Sequence, residues 1–430
     1  MTKDEELLLF GRSPYAGRLH DFCLMIEGDR ETAEELAPQC LHALLSMAGE
    51  TGFGGNLWHD FLARLLVSSE NSYSLSAELR GAPEGTVGDY ALHDMMIFRG
   101  WFALDLHGLA EKCGLPELEL IEDYLPDAGA GRVYSARVRK QIEALAREMA
   151  DCDNAQSMLD ALASFYAHYG VGALGLHKAF RLHITDGRPV IRPVTKIADV
   201  RFDDLIGYAD AKETLIRNTE AFLAGAPANN CLLYGDAGTG KSSSIKALAN
   251  TYYDRGLRII EIYRHEFRYL HDVIGEIKHR NYRFLLYMDD LSFEEFETEY
   301  KYLKAVIEGG LEKKPDNVLI YATSNRRHLV RESFADKQKL TDDDVHRSDT
   351  VQEKLSLFDR FGVSIYFGAP TPAEYREIVT ALAKREGVTM PAEELLLEAN
   401  RWELKHAGYS GRTARQLIDD ILGRTQLSQP

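Results

Sequence analysis

The chain has 430 residues, is 45% hydrophobic, and carries a formal net charge of −17 from 50 Lys+Arg and 67 Asp+Glu. That length supports two or three domains with ordinary cores. The acidic balance disfavours non-specific nucleic-acid binding, most of all before residue 195, where 17 Lys+Arg face 29 Asp+Glu against 33 and 38 after it.

The opening stretch, MTKDEELLLFGRS, is acidic with a four-residue apolar run, and reads as no signal peptide. No apolar stretch reaches 18 residues, so no membrane span is expected. Residues 1 to about 182 read as mostly helical, as in ETAEELAPQCLHALLSMAGE, NLWHDFLARLLVSS and SARVRKQIEALAREMADC. GAPEGTVGD and LPDAGAGR are loop signals. Trp58, Trp101 and Phe102 sit in apolar surroundings and read as core. The cysteines, at 23, 40, 113, 152 and 231, are five in number and form no C-x-x-C pair. They read as reduced thiols of a cytoplasmic protein rather than a disulfide framework or zinc site.

Residues 183–202, HITDGRPVIRPVTKIADVRF, read as a small hairpin and linker, with the first domain ending at 195. Beyond it, strands and helices alternate. Strands are expected at 231–234, 257–263, 284–288, 317–322 and 363–367, with helices between them. Alternation of this kind predicts an α/β, doubly wound parallel sheet over 196–370. Residues 371–430 read as helices only, opened by Thr371 as N-cap and Pro372 at the first helical position.

The stretch GDAGTGKSS, residues 235–243, lies between the apolar run Cys231–Tyr234 and a helical pattern of Ile245, Leu248, Ala249 and Tyr252. Its spacing is G-x-x-x-x-G-K-[ST]. Such a turn presents backbone N–H groups and a helix N-terminus to a phosphate chain. The glycines, Gly235, Gly238 and Gly240, permit close approach of the backbone; Asp236, Ala237, Thr239 and Ser243 complete the loop. Lys241 is placed to reach the β- and γ-phosphates of such a chain, and Ser242 to ligate Mg²⁺.

Two acids, Asp289 and Asp290, follow the apolar run FLLYM at the C-terminal end of a buried strand, where open α/β sheets bind ligands. Asp289 is the candidate second metal ligand, and Asp290 the candidate for orienting or deprotonating water. YATSN ends the next strand and offers Asn325. LFDRFGVSIYF places Arg360 before the last strand, and SGRTARQLI places Arg412 near the start of a helix. Other chemistries fail on spacing: His265-Glu266 lacks the second histidine of H-E-x-x-H, since Tyr269 stands there.

Together these segments resemble an AAA+ ATPase over residues 200–424, about half of the chain. RFDDLIGYADAKETL, with Ile206 and Gly207, resembles the segment that closes over adenine. GDAGTGKS resembles the Walker A motif and YMDD the Walker B motif. Asn325 matches the sensor 1 position, Arg360 the arginine finger, and Arg412 the sensor 2 arginine, with Arg415 as a second candidate. LLYMDDLSFEE, EGGLEKKPDNVLIYATSNRRHLV and EKLSLFDRFG are similar to a bacterial AAA+ family described only as ATP-binding proteins. The resemblance implies a P-loop AAA+ core with a C-terminal helical lid, ATP and Mg²⁺ as cofactors, and a homo-oligomeric ring or spiral.

Two departures are visible. Walker B ends in Asp-Asp where most AAA+ members have Asp-Glu, which leaves Glu294 or Glu295 as alternative bases. The region YRHEFRYL lacks the aromatic–apolar–glycine loop of protein-threading members. The leading expectation is ATP hydrolysis coupled to remodelling of a partner complex, with the helical N-terminal domain selecting a protein partner. The alternatives are a nucleic-acid loader or translocase, for which Lys313, Lys314, Arg326 and Arg327 are the basic candidates, and a nucleotide-dependent switch with low turnover.

Overall fold

The computed structural model describes residues 2–127, 129, 131, 133–291, 299–308, 315–325, 360–406 and 408–427. Glu294, Glu295, Lys313, Lys314, Arg326, Arg327, Glu353 and Asp359 lie outside the described residues. Contacts divide the chain into two compact units, residues 1–177 with 193–196, and residues 178–192 with 197–430.

The first unit is helical, as its periodicity predicts. Its helices include Arg30–Thr51, Leu57–Ser68, Thr86–Phe102, Ala136–Ala150 and Ala155–Tyr169. Side chains begin several of them: Asp29 accepts from the Thr32 N–H, Asn56 from His59 and Asn154 from Ser157, each such cap contributing about 1 kcal/mol. Trp58, Trp101 and Phe102 are buried. The Trp58 indole donates to the Trp101 carbonyl at 2.7 Å, and the Tyr166 hydroxyl to that of Leu66 at 2.7 Å, so these polar tips are satisfied inside the core.

The second unit is built on a seven-stranded sheet. Its strands are β1 (Ala179–Thr185), β2 (Arg188–Pro193), β3 (Cys231–Gly235), β4 (Leu257–Glu261), β5 (Arg283–Met288), β6 (Val318–Ser324) and β7 (Val363–Phe367). The order across the sheet is β2-β1-β4-β5-β6-β3-β7. The pairs β1–β4, β4–β5, β5–β6, β6–β3 and β3–β7 are all parallel. Strand β6 therefore separates the strand that leads into the glycine-rich turn from the strand that carries the two acids.

The hairpin corrects the expected domain boundary. It turns at Asp186-Gly187, both with positive φ (51° and 75°), the backbone that a two-residue hairpin turn of matching twist demands. Its first strand pairs with β4, Ala179 opposite Ile259, and buries Phe180 and Leu182. The hairpin thus extends the second unit's sheet instead of closing the helical region. Strand β6 also runs two residues farther than its apolar pattern suggests, which brings Thr323 and Ser324 into the sheet.

One face of the sheet packs on helices Ala209–Leu223 and Lys241–Tyr252. Cys231, Leu233, Ile259, Leu285, Tyr287, Tyr321, Ile365 and Phe367 meet Leu215, Phe222, Ile245 and Leu248 there. Burying a side chain of this size stabilises by about 1.5–3 kcal/mol. Because side chains alternate along a strand, Asp289 follows Tyr287 onto this face, and Thr323 and Asn325 follow Tyr321. Three helices, Pro372–Arg385, Ala392–Lys405 and Gly411–Leu427, close the chain around a core of their own that includes Tyr375, Val379, Ala399, Leu417 and Ile418. The first opens as expected: Thr371 accepts from the Glu374 N–H, Glu374 accepts from the Thr371 N–H, and Pro372 stands in the first turn.

Candidate nucleotide site

The glycine-rich turn joins β3 to helix Lys241–Tyr252. Gly235, Gly238 and Gly240 all have positive φ, at 132°, 77° and 94°. A β-carbon on Gly235 would lie 2.1 Å from the Phe367 carbonyl oxygen, so only glycine lets the turn pass the neighbouring strand. The Asp236 N–H donates to that same carbonyl at 3.0 Å, while its carboxylate accepts from the Ala369 N–H at 2.8 Å. Thr239 closes the turn by donating to the Asp236 carbonyl at 2.8 Å.

Lys241 is 5% exposed. Its Nζ donates to the carbonyls of Gly235 and Asp236, at 3.0 and 2.6 Å. Burial lowers its pKa from the ordinary lysine value, against the pull of Asp236, Asp290 and Asp289. A cation kept in a half-dry turn gains when an anion arrives beside it.

A hydrogen-bonded cluster faces this turn from the ends of β5 and β6. Asp289 Oδ1 accepts from the hydroxyls of Ser242 (2.9 Å), Tyr287 (2.6 Å) and Thr323 (2.5 Å). Burial pushes the Asp289 pKa up, but these donors together pull it below the ordinary carboxylate value. Asp290 has φ of 51°, a left-handed conformation uncommon outside glycine. Its N–H donates to Thr323 Oγ1 at 3.0 Å, and its Oδ1 accepts from the Asn325 amide at 2.8 Å.

The cleft around these groups has a volume of about 1040 Å³. Gly238 through Ser244, Asp289, Asp290, Thr323 and Asn325 line one part of it. Ala198 to Val200, Leu205 and Ile206 line another, and the lid contributes Arg385, Glu386, Arg412 and Arg415. Ile206 also packs on the lid core. Gly207 follows it with φ of 79° and turns the chain into Tyr208, whose hydroxyl donates to the Gly368 carbonyl at 3.0 Å.

The two lid arginines differ. Arg415 is paired with Glu386 (2.6 Å) and Asp419 (3.0 Å). The Arg412 guanidinium forms no ion pair among the described residues, while its backbone N–H donates to the Gly238 carbonyl at 3.3 Å. Arg360 stands three residues before β7 and does not line the cleft of its own chain.

The donors fit ATP and Mg²⁺. A hydroxyl and a carboxylate, Ser242 and Asp289, are hard oxygen ligands within one hydrogen bond of each other. Cationic groups from the turn and lid line the same cleft, which suits a polyphosphate. Among the described residues no group of three or more His, Cys, Asp or Glu could hold a metal by itself.

A family profile described as "Protein of unknown function (DUF815)" matches residues 176–425. The chain belongs to this family. The match begins three residues before β1 and so takes in the hairpin with the sheet and most of the closing helices. The replication factor C large subunit of Staphylothermus marinus is 36% identical over 81 residues, 19% of this chain and 18% of that protein. The match spans less than a fifth of that relative's length. Among solved structures, the Thermotoga maritima RuvB Holliday junction branch migration motor aligns at 16% identity and a TM-score of 0.36, covering 54% of this chain and 67% of that one. A mutant of the same protein aligns at 14% identity and 0.37.

The sequence pattern singled out both acids, Asn325 and the turn, which the structure brings together. It did not single out Tyr287 and Thr323, which bond Asp289. The signal was present, since each stands two residues before a selected residue and two-residue spacing keeps strand side chains on one face. No helix among the described residues is long and apolar enough to cross a membrane.

Proposed function

We propose that this chain binds ATP with Mg²⁺, hydrolyses it, and uses the cycle to remodel a partner complex recruited by the helical N-terminal unit. The observation that carries the reading is the linked set Ser242–Asp289–Thr323–Asp290–Asn325 facing the turn that holds Lys241. Ser242 and Asp289 hold the metal, which when bound neutralises phosphate charge. Lys241 contacts the phosphates. Asp290 orients or deprotonates water, with Asn325 fixing its carboxylate. Arg412 joins the lid to the phosphates, and Arg360 serves a neighbouring copy in a ring or spiral. The compartment that suits this reading is the cytoplasm, where ATP is plentiful and thiols stay reduced.

The test is steady-state ATP hydrolysis by the full chain, with Asp290→Asn beside it. Wild-type turnover that depends on Mg²⁺, and its loss in a variant that still binds ATP, is the expected result. Binding without turnover in the wild type would convert the reading into a nucleotide-dependent switch. Affinity capture with Asp290→Asn then tests remodelling: retention of a protein partner in the presence of ATP is expected. Retention of nucleic acid in its place would overturn the partner assignment.

A further inference from the structure

The two acids at the end of β5 are not independent. The Thr323 hydroxyl, on the neighbouring strand β6, is bonded to both at once. It spends its one proton on Asp289 Oδ1 at 2.5 Å and accepts the Asp290 N–H at 3.0 Å. The Thr323 carbonyl in addition accepts the Leu291 N–H at 2.6 Å, so the chain leaving β5 is tied to one residue of β6. Thr323 is 1% exposed. A valine there would keep the shape and lose both hydroxyl bonds.

These bonds bear on a specific problem of this chain. An aspartate in the water-activating position is one methylene shorter than a glutamate, so its reach depends on where its backbone stands. Asp290 has φ of 51°, which costs about 1 kcal/mol or more for a residue with a side chain. Such a conformation persists where neighbours determine it, and here Thr323 holds the N–H while Asn325 holds the carboxylate. On the other acid, Asp289 Oδ1 is taken by three hydroxyls, of which Tyr287 and Thr323 come from the sheet.

We propose that Thr323 is the positioning residue of this site: its hydroxyl sets Asp289 for the metal and Asp290 for water, with Tyr287 supporting the first of these. The assignment rests on the ATPase reading above. Partners one bond removed from a metal ligand typically change affinity or activity by about 10- to 100-fold when lost. Tyr287 and Thr323 would act at different depths. Loss of the Tyr287 hydroxyl leaves the Asp290 backbone untouched, whereas loss of the Thr323 hydroxyl frees it.

The experiment compares Thr323→Val, Thr323→Ser and Tyr287→Phe with the wild type in the full chain. Three quantities are read: ATP dissociation constants with Mg²⁺ and with EDTA, kcat, and the thermal midpoint. Thr323→Val should bind ATP in EDTA within about twofold of wild type, lose most of the Mg²⁺-dependent tightening, and lower kcat by about 10- to 100-fold. Thr323→Ser, which keeps the hydroxyl, should stay close to wild type in all three. Tyr287→Phe should weaken the Mg²⁺ effect with a smaller loss of kcat. Thr323→Val with wild-type Mg²⁺ dependence and turnover overturns the proposal. Thr323→Ser as impaired as Thr323→Val overturns it too, because the hydroxyl would then not be the cause. A wild-type chain that binds ATP with no Mg²⁺ effect overturns the ATPase reading itself, a result visible before any variant is made.

Discussion

The backbone N–H of Arg412, in the first turn of the last lid helix, donates to the carbonyl of Gly238 in the glycine-rich turn. The two elements meet so closely that a β-carbon on Gly238 would lie 3.0 Å from both Arg412 Cβ and Ser410 Oγ. Gly238 also has φ of 77°. Glycine is therefore required there twice, once by the backbone and once by the lid. Gly238→Ala should leave the chain folded but move the lid off the turn. The expected outcome is ATP affinity lowered by about tenfold, equivalent to about 1.4 kcal/mol, with circular dichroism unchanged. Wild-type affinity would show that lid contact at Gly238 contributes nothing to binding.

The same contact separates the two candidate lid sensors. Arg415 is committed to Glu386 and Asp419 on the lid's own surface, with 44% of its side chain exposed. Ion pairs of that kind contribute about 0–1 kcal/mol. Arg412 lines the cleft with no such pair among the described residues. Arg412→Ala should weaken ATP binding by about 10-fold or more through loss of a charge-assisted contact. Arg415→Ala should alter affinity by less than about threefold, the scale of an exposed pair. Isothermal titration of both variants decides the assignment, and the opposite ranking would give the role to Arg415.

Lys241→Ala should abolish tight ATP binding, a loss of about 100-fold for charge-assisted bonds to two phosphates. The buried ammonium now rests on the Gly235 and Asp236 carbonyls of the loop backbone. Equal affinity in fluorescence titration of wild type and variant would remove the turn from the binding site.

Much of this site was legible in the sequence because its parts are short-range patterns. GDAGTGKSS needs only its own spacing and a strand before it, and Asp289-Asp290 needs only the apolar run that precedes it. What was not legible depends on strand neighbours. Thr323 looked like one polar residue in YATSN until β6 was seen to lie beside β5. The hairpin was legible as a hairpin from Asp186-Gly187, but its attachment to β4 is a contact across some 80 residues that no local pattern encodes. Arg412 and Arg415 lie three apart on one helix, and only their partners tell them apart.

The hairpin gives a further prediction. A truncated chain that begins at Lys178 keeps β1 against β4 and the burial of Phe180, worth about 1.5–3 kcal/mol. One that begins at residue 196 bares the edge of β4, an open row of backbone N–H and C=O groups that invites aggregation. The longer piece should be monodisperse and bind ATP. The shorter should melt lower and aggregate. Light scattering and thermal melts compare them, and equal behaviour would mean that the hairpin is an accessory to the sheet.

The last prediction concerns assembly. Arg360 stands just before β7 and is not among the described residues that line the cleft of its own chain. If it serves catalysis, it must do so in the cleft of another copy. A guanidinium supplied in this way stabilises charge on the transferring phosphoryl group and raises turnover by about 10³- to 10⁵-fold. Arg360→Ala should then bind ATP normally and hydrolyse it poorly. Lys241→Ala should hydrolyse poorly because it does not bind. Mixed, the two should recover activity, since a copy with an intact turn then meets an intact Arg360 from its neighbour. Recovery requires head-to-tail association, as in a ring or open spiral. Sedimentation in the presence of ATP establishes the concentration at which the chain associates. Full activity of Arg360→Ala at that concentration would exclude the arginine from catalysis, and no recovery on mixing where the two variants co-assemble would remove its role in a neighbour's cleft.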